Sequence, residues 1–467
     1  MMTLSLAVRN LLRNRRRSVA TLLALAIGAA SILLFGGYSA NIRYSLLTAY
    51  VTAGGHLQIQ HADFYQYGSG NPSAYGLADY ERVLQGIRQD PALRDMVNVV
   101  SPTLQFGGIA GNFDAGVSRT VVGIGFAPDD INRMRQWNEY NLPIEPPHFA
   151  LEGAPPDTAI VGLGVARVLL LCEPLKVGNC PSPQAAEKAT GARLPDDIAA
   201  LSGLEDGANK KQAAAGPTKA RIELLAGHGR GTPNVAALQV LQAENQGFKE
   251  LDDVAVILQL KQAQQLVYGR AAPRATALMV QLHRTQDMPA ATQALKALLA
   301  RLVPGQPWTV MDFETLNPFY VQTLQLFDTI FGFIFALIGG IVLFTVGNTM
   351  NAAVTERTVE IGTLRSVGLR QAGIRSLFVT EGLLLGVAGA VLGVTSALLI
   401  ATVLNRMGLT WLPPGSSDAL PLTLRVWGET RMIVGTAIGL VVIAALSAWW
   451  PAYRAANLKI VEALRHA

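Results

Sequence analysis

Long apolar runs divide the chain into membrane-type and mixed segments. Four of these runs contain no Asp, Glu, Lys or Arg, namely residues 18–40, 329–355, 382–404 and 432–450. An α-helix rises about 1.5 Å per residue, so about 20 residues cross a hydrocarbon core of about 30 Å. Each run is therefore predicted to be a transmembrane helix, and the chain is predicted to be an α-helical membrane protein with four spans.

The block between the first two spans, residues 41–328, has no run of that length. Alternating apolar and polar residues, bounded by Gly and Pro, predict strands separated by helices. Residues 277–313 predict a β-α-β unit, which the strands near residues 56–60 and 99–125 would cover. Residues 172–235 are rich in Ala, Gly, Pro, Lys and Asp, which predicts a variable, partly flexible insert. We expect a large α+β extracytoplasmic domain inserted between spans 1 and 2.

A charged connector, residues 356–381, separates the second and third spans. Its apolar residues Ile361, Leu364 and Val367 recur every three positions, which favours a short helix with one apolar face. Gly368 suits the C-terminus of that helix, and a new helix is expected from about residue 370. The pattern alone fits two interpretations: a helix that contacts a partner protein, or one whose arginines meet lipid phosphates.

Basic residues beside the spans set the expected topology. Residues 1–17 predict an amphipathic helix on the cytoplasmic membrane surface, residues 405–431 an outer loop, and residues 451–467 a cationic cytoplasmic tail. The net charge of +5 fits the positive-inside rule better than nucleic-acid binding. A cleaved signal peptide is disfavoured because its apolar core is usually about 7–15 residues long. We expect both termini to be cytoplasmic.

The connector carries a recognisable pattern of charges and glycines. It resembles E-R-x-x-E-I-G-x-L-R-x-x-G…F…E, the pattern of the FtsX/MacB/LolC-E family of ABC transporter permeases, through Glu356-Arg357, Glu360-Ile361-Gly362, Leu364-Arg365, Val367-Gly368, Phe378 and Glu381. The basic segment before the first apolar run and the Pro451-Ala-x-x-Ala-Ala…Glu462-Ala-Leu-Arg ending are similar to the same family. The resemblance covers almost the whole chain and is strongest over residues 1–60 and 300–467.

The resemblance implies an architecture and a mechanism. It implies a MacB-like periplasmic core domain, a bacterial inner-membrane location, and conversion of ATP hydrolysis into movement of that domain (mechanotransmission). Its cargo would be a lipoprotein, lipid, peptide or hydrophobic compound. It implies as partners a separate ABC-type ATPase that carries the ATP and Mg, a second permease copy or paralogue, a periplasmic adaptor or lipoprotein, and membrane lipids. The residues expected to couple to the ATPase are Glu356, Arg357, Glu360, Ile361, Gly362, Leu364, Arg365 and Gly368.

Two other classes of function are considered. An FtsX-like regulator that activates cell-wall hydrolases would share the connector, but its outer domain is usually much smaller than residues 41–328. A membrane-anchored enzyme or receptor would leave the charged connector unexplained. The chain has no G-x-x-x-x-G-K-[ST] motif to cradle phosphate, so it is not expected to hydrolyse ATP, and no catalytic, cofactor or metal site is predicted in it.

Two sets of residues are expected to have structural roles. Cys172 and Cys180 lie close together in the outer block, where they could form a disulfide or remain free thiols. Gly382, Gly386, Gly389 and Gly393 recur at three- and four-residue steps along the third span, which predicts close helix packing. The neighbouring helix could belong to the same chain or to a second copy.

Overall fold

A computed structural model of the 467-residue chain describes residues 2–13, 15–143, 146–178, 180, 220–227, 234–247, 249–411 and 420–460. These residues form two compact units, which are described separately. The membrane unit lies within residues 1–46, 319–411 and 420–467, and the α/β unit within residues 47–318. Parts of three predicted segments, residues 181–219 of the insert, 412–419 of the outer loop and 461–467 of the tail, lie outside the described residues.

The elements are numbered in chain order. The helices are α1 (Met2–Arg13), α2 (Arg15–Gly54), α3 (Phe64–Tyr67), α4 (Tyr80–Gln89), α5 (Pro91–Arg94), α6 (Pro128–Arg135), α7 (Leu163–Val168), α8 (Cys172–Leu175), α9 (Lys249–Asp252), α10 (Leu260–Tyr268), α11 (Met288–Leu302), α12 (Phe313–Leu316), α13 (Pro318–Glu356), α14 (Thr358–Ser366), α15 (Gln371–Met407) and α16 (Thr430–Ala456). The strands are β1 (Leu57–His61), β2 (Val97–Asn112), β3 (Val117–Phe126), β4 (Thr158–Gly162), β5 (Arg221–Ala226), β6 (Asn234–Glu244), β7 (Ala255–Gln259), β8 (Ala277–Leu282), β9 (Trp308–Asp312), β10 (Thr410–Trp411) and β11 (Leu420–Pro421).

Four helices of the described chain, α2, α13, α15 and α16, are long and apolar enough to cross a membrane. Each contains one of the predicted runs, so the prediction of a four-span membrane protein is confirmed. The helices extend well beyond the apolar runs. In particular, α15 begins at Gln371, close to the predicted start at about residue 370, and Glu381 lies inside the helix that continues as the third span. Polar residues continue a helix readily once it has been started.

The core of the membrane unit is formed by small and branched residues from all four long helices. Leu25 of α2, Val346 of α13, Phe378 of α15 and Ala444 of α16 are almost fully buried in it. Helices α2 and α13 are also joined by a hydrogen bond between the hydroxyl groups of Thr21 and Thr349, 2.8 Å apart. Hydroxyl pairs of this kind satisfy polar groups inside a membrane.

A nine-stranded mixed sheet dominates the α/β unit, with the strand order β3-β7-β4-β6-β5-β2-β8-β1-β9. Strand β2 is long: its first half pairs with β8, its second half with β5, and its other edge with β3. Because β3 continues through β7, β4 and β6 to β5, strands β2 to β7 close into a ring. A closed ring leaves no free edge along those strands, and Phe106, Val161 and Leu224 are buried in its core.

The predicted β-α-β unit is present as β8, α11 and β9. Both strands pair antiparallel with β1, which lies between them, and β2 covers the other side of β8. The strands near residues 56–60 and 99–125 are therefore the partners that the sequence predicted. Helix α11 buries Leu295 and Leu299 in a second core with Val83 and Ile87 of α4.

The prediction that residues 172–235 form an insert is wrong at its C-terminal end. Residues Arg221–Ala226 form strand β5, which pairs with both β2 and β6 at the centre of the sheet. The strand alternates Ile222, Leu224 and Ala226 toward the core with more exposed residues between them. This short period-two signal is flanked by Ala-, Gly- and Pro-rich segments, which hid it in the composition.

Candidate functional site

The connector is tied to the N-terminal helices by two ion pairs at the surface. Nη2 of Arg13 in α1 lies 2.7 Å from Oε1 of Glu360 in α14, and both side chains are about half exposed. Arg17, at the start of α2, forms an ion pair with Glu356 at the end of α13. Exposed pairs such as these are each worth at most about 1 kcal/mol. Their role is to fix which surfaces of the helices face each other.

A third ion pair lies inside the unit. Arg357 Nη1 donates to Glu381 Oε1 at 3.0 Å, and the two side chains are only 7% and 2% exposed. Asn10 of α1 joins both partners, because its Nδ2 donates to Glu381 Oε1 at 2.7 Å and its backbone carbonyl accepts from Arg357 Nη2 at 3.2 Å. Removing one partner from a buried pair leaves an uncompensated charge. The cluster therefore holds α1, α14 and α15 together.

The far end of α14 is anchored to the segment that follows α16. Arg365 donates a hydrogen bond to the backbone carbonyl of Leu458, which follows α16. Between the two anchors, Ile361 and Gly362 are buried against the membrane unit. Helix α14 is thus fixed along its length to α1, α15 and the segment after α16.

Helix α14 and the turn after it also present apolar residues to the surface. Val359, Leu364 and Leu369 are 39%, 40% and 42% exposed, and Val367 is 84% exposed. We call these four residues the apolar tip. The expected common face of Ile361, Leu364 and Val367 is therefore split, with only Ile361 inside. Three-residue steps drift by about 60° per step around a helix of 3.6 residues per turn, and Val367 already lies beyond the last turn.

Gly368 ends the connector helix in the way its sequence position predicts. Its φ is +103°, a conformation that favours glycine, and the next residue, Leu369, donates its N–H to the carbonyl of Leu364 at 3.0 Å. Arg370 then caps the N-terminus of α15 in an extended conformation. The two helices are separated by this single tight turn, which fixes where the apolar tip projects.

All four glycines of the third span lie against helices of the same chain. A Cβ on Gly382 or Gly386 would meet Ala448 or Ala444 of α16, and a Cβ on Gly389 or Gly393 would meet Leu25 or Ala29 of α2. The absent side chains therefore let α15 approach two neighbours on different faces. The sequence left open whether the neighbouring helix belongs to the same chain or to a second copy. For all four glycines the neighbouring helix belongs to the same chain.

The family described as FtsX-like permease C-terminal matches residues 329–460, which contain the connector, the three last spans and the glycine face. Over residues 329–460 the chain is that of an FtsX-like permease. Among its relatives, LolC of Xylella fastidiosa (strain Temecula1), a lipoprotein-releasing system transmembrane protein, is 26% identical over 230 residues, which are 47% of this chain and 53% of LolC. MacB of Nitrobacter winogradskyi, a macrolide export ATP-binding/permease protein, is 33% identical over 190 residues, which are 40% of this chain and 26% of MacB.

This permease spans about half the length of the LolC relatives that it matches, and less of MacB. The extracellular domain of the ABC-type transporter YknZ from Gram-positive bacteria aligns with 55% of the permease and 99% of that domain, at 10% identity and a TM-score of 0.29. That score is too low to bear on the fold. The family assignment therefore rests on the segment that contains the connector and its flanking spans.

The sequence did not indicate that Asn10, Arg13 and Arg17 contact the connector. The arginines fit the expected membrane topology, and Glu356 and Glu360 are acids with which they can pair. The complementary charges were the available signal, but the pairs join residues 339 and 347 positions apart. In the α/β unit, a disulfide joins Cys172, the first residue of α8, to Cys180.

Proposed function

We propose that this permease is the membrane subunit of an ABC transporter, and that a separate ABC-type ATPase with bound ATP and Mg docks on the apolar tip. The observation that carries the proposal is the two-sided character of α14. Its inner side is fixed by Arg357, Ile361 and Arg365, whereas its outer side exposes valine and leucine at the end of a tight turn. An exposed apolar cluster is typical of a protein contact.

In this proposal the charged connector residues act as internal ties. Glu356 and Glu360 face arginines of α1 and α2, so they pass a displacement of α14 to the N-terminal helices. A packed element moves as a rigid body, which is how small shifts are carried over a distance. Helices α2 and α13 lead directly along the chain into the α/β unit. That unit would then act on cargo in the periplasm, with both termini of the chain in the cytoplasm of a bacterium.

The cargo is proposed to be lipid-linked or apolar: a lipoprotein, lipid, peptide or hydrophobic compound. The support comes from the LolC and MacB relatives, whose names describe lipoprotein release and macrolide export. A second permease copy or paralogue and a periplasmic adaptor are proposed with it. The alternative of a regulator that activates cell-wall hydrolases has no comparable support among these relatives.

The docking proposal is tested by placing a charge on the apolar tip. Val367→Asp should abolish co-purification of the ATPase with the full-length permease and remove any stimulation of ATP hydrolysis, while the permease itself still inserts and folds. Met407→Asp is the matched control, because Met407 is an exposed apolar residue at the other end of α15. Equal ATPase binding by wild type and Val367→Asp would refute docking at this tip.

A further inference from the structure

A groove of about 610 Å³ lies within the membrane unit, between α1, α14 and the first turns of α15. Its exposed apolar surface comes from Leu6, Val359 and Leu364. The groove also carries three guanidinium groups, from Arg9, Arg13 and Arg357, and Glu360 is the only acid among the residues that line the groove. The groove therefore combines an apolar surface with a net positive charge.

Two of the three arginines are only partly satisfied by the protein. Arg357 is nine-tenths buried, and its Nε has no hydrogen-bond partner among the described residues, although its two terminal nitrogens are bonded. Buried N–H groups without a partner are rare, because losing water without replacement costs free energy. Arg9 forms no ion pair within the described part of the chain, and its side chain is exposed at the groove. Arg13 is held by Glu360.

The position of the groove limits what can occupy it. It is built from the helix before the first span, the helix between the second and third spans, and the start of the third span, so it lies where spans leave the bilayer. Guanidinium groups bind phosphate oxygens strongly, and basic pockets beside transmembrane helices suit anionic headgroups. An apolar wall next to the cations matches a molecule with both a phosphate and acyl chains.

We propose that this groove binds an anionic glycerophospholipid from the adjoining leaflet, with its phosphate beside Arg9 and Arg357 and its acyl region along the exposed side chains of Leu6, Val359 and Leu364. The site goes beyond docking of an ATPase, and it shares Val359 and Leu364 with the apolar tip. A lipid held here contacts α1, α14 and α15 at once. Its presence would therefore strengthen the same helix contacts that the buried ion pair makes.

The test uses the full-length permease purified in detergent, with native mass spectrometry and thermal unfolding as readouts. Phosphatidylglycerol should remain bound and raise the melting temperature, and phosphatidylcholine with the same acyl chains should do neither. Arg9→Gln should weaken phosphatidylglycerol binding about fivefold, as expected for one basic residue near an anionic lipid. Arg16→Gln removes an arginine near the start of α2 that does not line the groove, and it should leave binding unchanged.

Three results would overturn the proposal. Equal binding of phosphatidylglycerol and phosphatidylcholine would show that the groove does not recognise the charge of the headgroup. Equal losses in Arg9→Gln and Arg16→Gln would show a diffuse effect of surface charge and no site. Stabilisation by inorganic phosphate as large as that by the lipid would identify the ligand as a free anion. Arg9 is the substituted residue because its exposed side chain can be changed without disturbing the buried pair.

Discussion

Glu381→Ala tests whether the buried cluster holds the connector in place. The substitution removes the acceptor for Arg357 Nη1 and for Asn10 Nδ2, and it leaves the guanidinium group with the Asn10 carbonyl as its remaining partner. Because both side chains of the pair are less than one-tenth exposed, Arg357 recovers little of its hydration, and only through the groove that it lines. Breaking a buried ion pair in this way costs about 3–5 kcal/mol of unfolding free energy.

Glu360→Ala is the matched control, since it also removes one glutamate that pairs with an arginine. Here Arg13 and Glu360 are about half exposed, so water replaces the lost contact and the cost is at most about 1 kcal/mol. The assay is the unfolding midpoint of the full-length permease in detergent, measured as the fraction of protein that stays monodisperse after heating. Similar midpoints for the two variants would refute the reasoning from burial.

A double variant separates charge from packing. Arg357→Met with Glu381→Leu replaces the pair by apolar side chains of similar volume, and such replacements are often neutral for stability. We expect most of the unfolding midpoint lost in Glu381→Ala to return. If the double variant is as unstable as the single one, the cost arises from lost shape and not from a stranded charge.

Three further predictions follow from other contacts. Gly393→Leu should prevent folding of the membrane unit, since even a Cβ there would meet Ala29 and the backbone of α2. Gly340→Leu is the control, because a Cβ at Gly340 would have no atom within 4 Å, and it should be tolerated when both variants are compared in an expression assay. Burial lowers the pKa of His56 from 6.5 to about 4. The folded state is therefore stabilised by neutral His56 fully above about pH 6.5, and up to about 3 kcal/mol of unfolding free energy is lost as the pH falls to 4. His56→Gln should remove this pH dependence from acid unfolding curves. Reducing agent should lower the thermal midpoint of the wild type, because the disulfide restricts the unfolded chain and so stabilises the fold by about 2–3 kcal/mol. It should have no effect on the Cys172→Ser, Cys180→Ser double variant.

Local patterns in the sequence predicted the parts of the fold that depend on local physics. The spans follow from uncharged runs, and β8, α11 and β9 follow from a change of period within a short stretch. The ring of six strands could not be predicted in this way. Its closure depends on β2 pairing with β3 and with β5, and β5 comes more than a hundred residues later in the chain. Nothing in the period of β2 indicates that its two halves have different partners.

The candidate site shows the same division between local and distant information. The sequence identified the connector and its terminal Gly368, because helix ends have local signals. It did not show which side of α14 faces inward, since that depends on charges supplied by α1 and α2. Glu356 and Glu360, which the sequence predicts to contact the ATPase, are paired with arginines of the same chain. Their contact with an ATPase stays a prediction, and the docking surface that we propose is the apolar tip, whose most exposed member is Val367.

The contacts of α2 and α13 explain how a push on the apolar tip could travel. At one end of this helix pair Arg17 contacts Glu356, and at the other end Nη2 of Arg43 lies 2.8 Å from Asp328. The pair is thus fastened near both ends, and stacked rings of Phe35 and Phe331 lie between, with their centroids 6.3 Å apart. Two helices joined at several points resist sliding past each other more than either resists moving with its neighbour. A displacement that enters at Glu356 is therefore expected to move α2 together with α13.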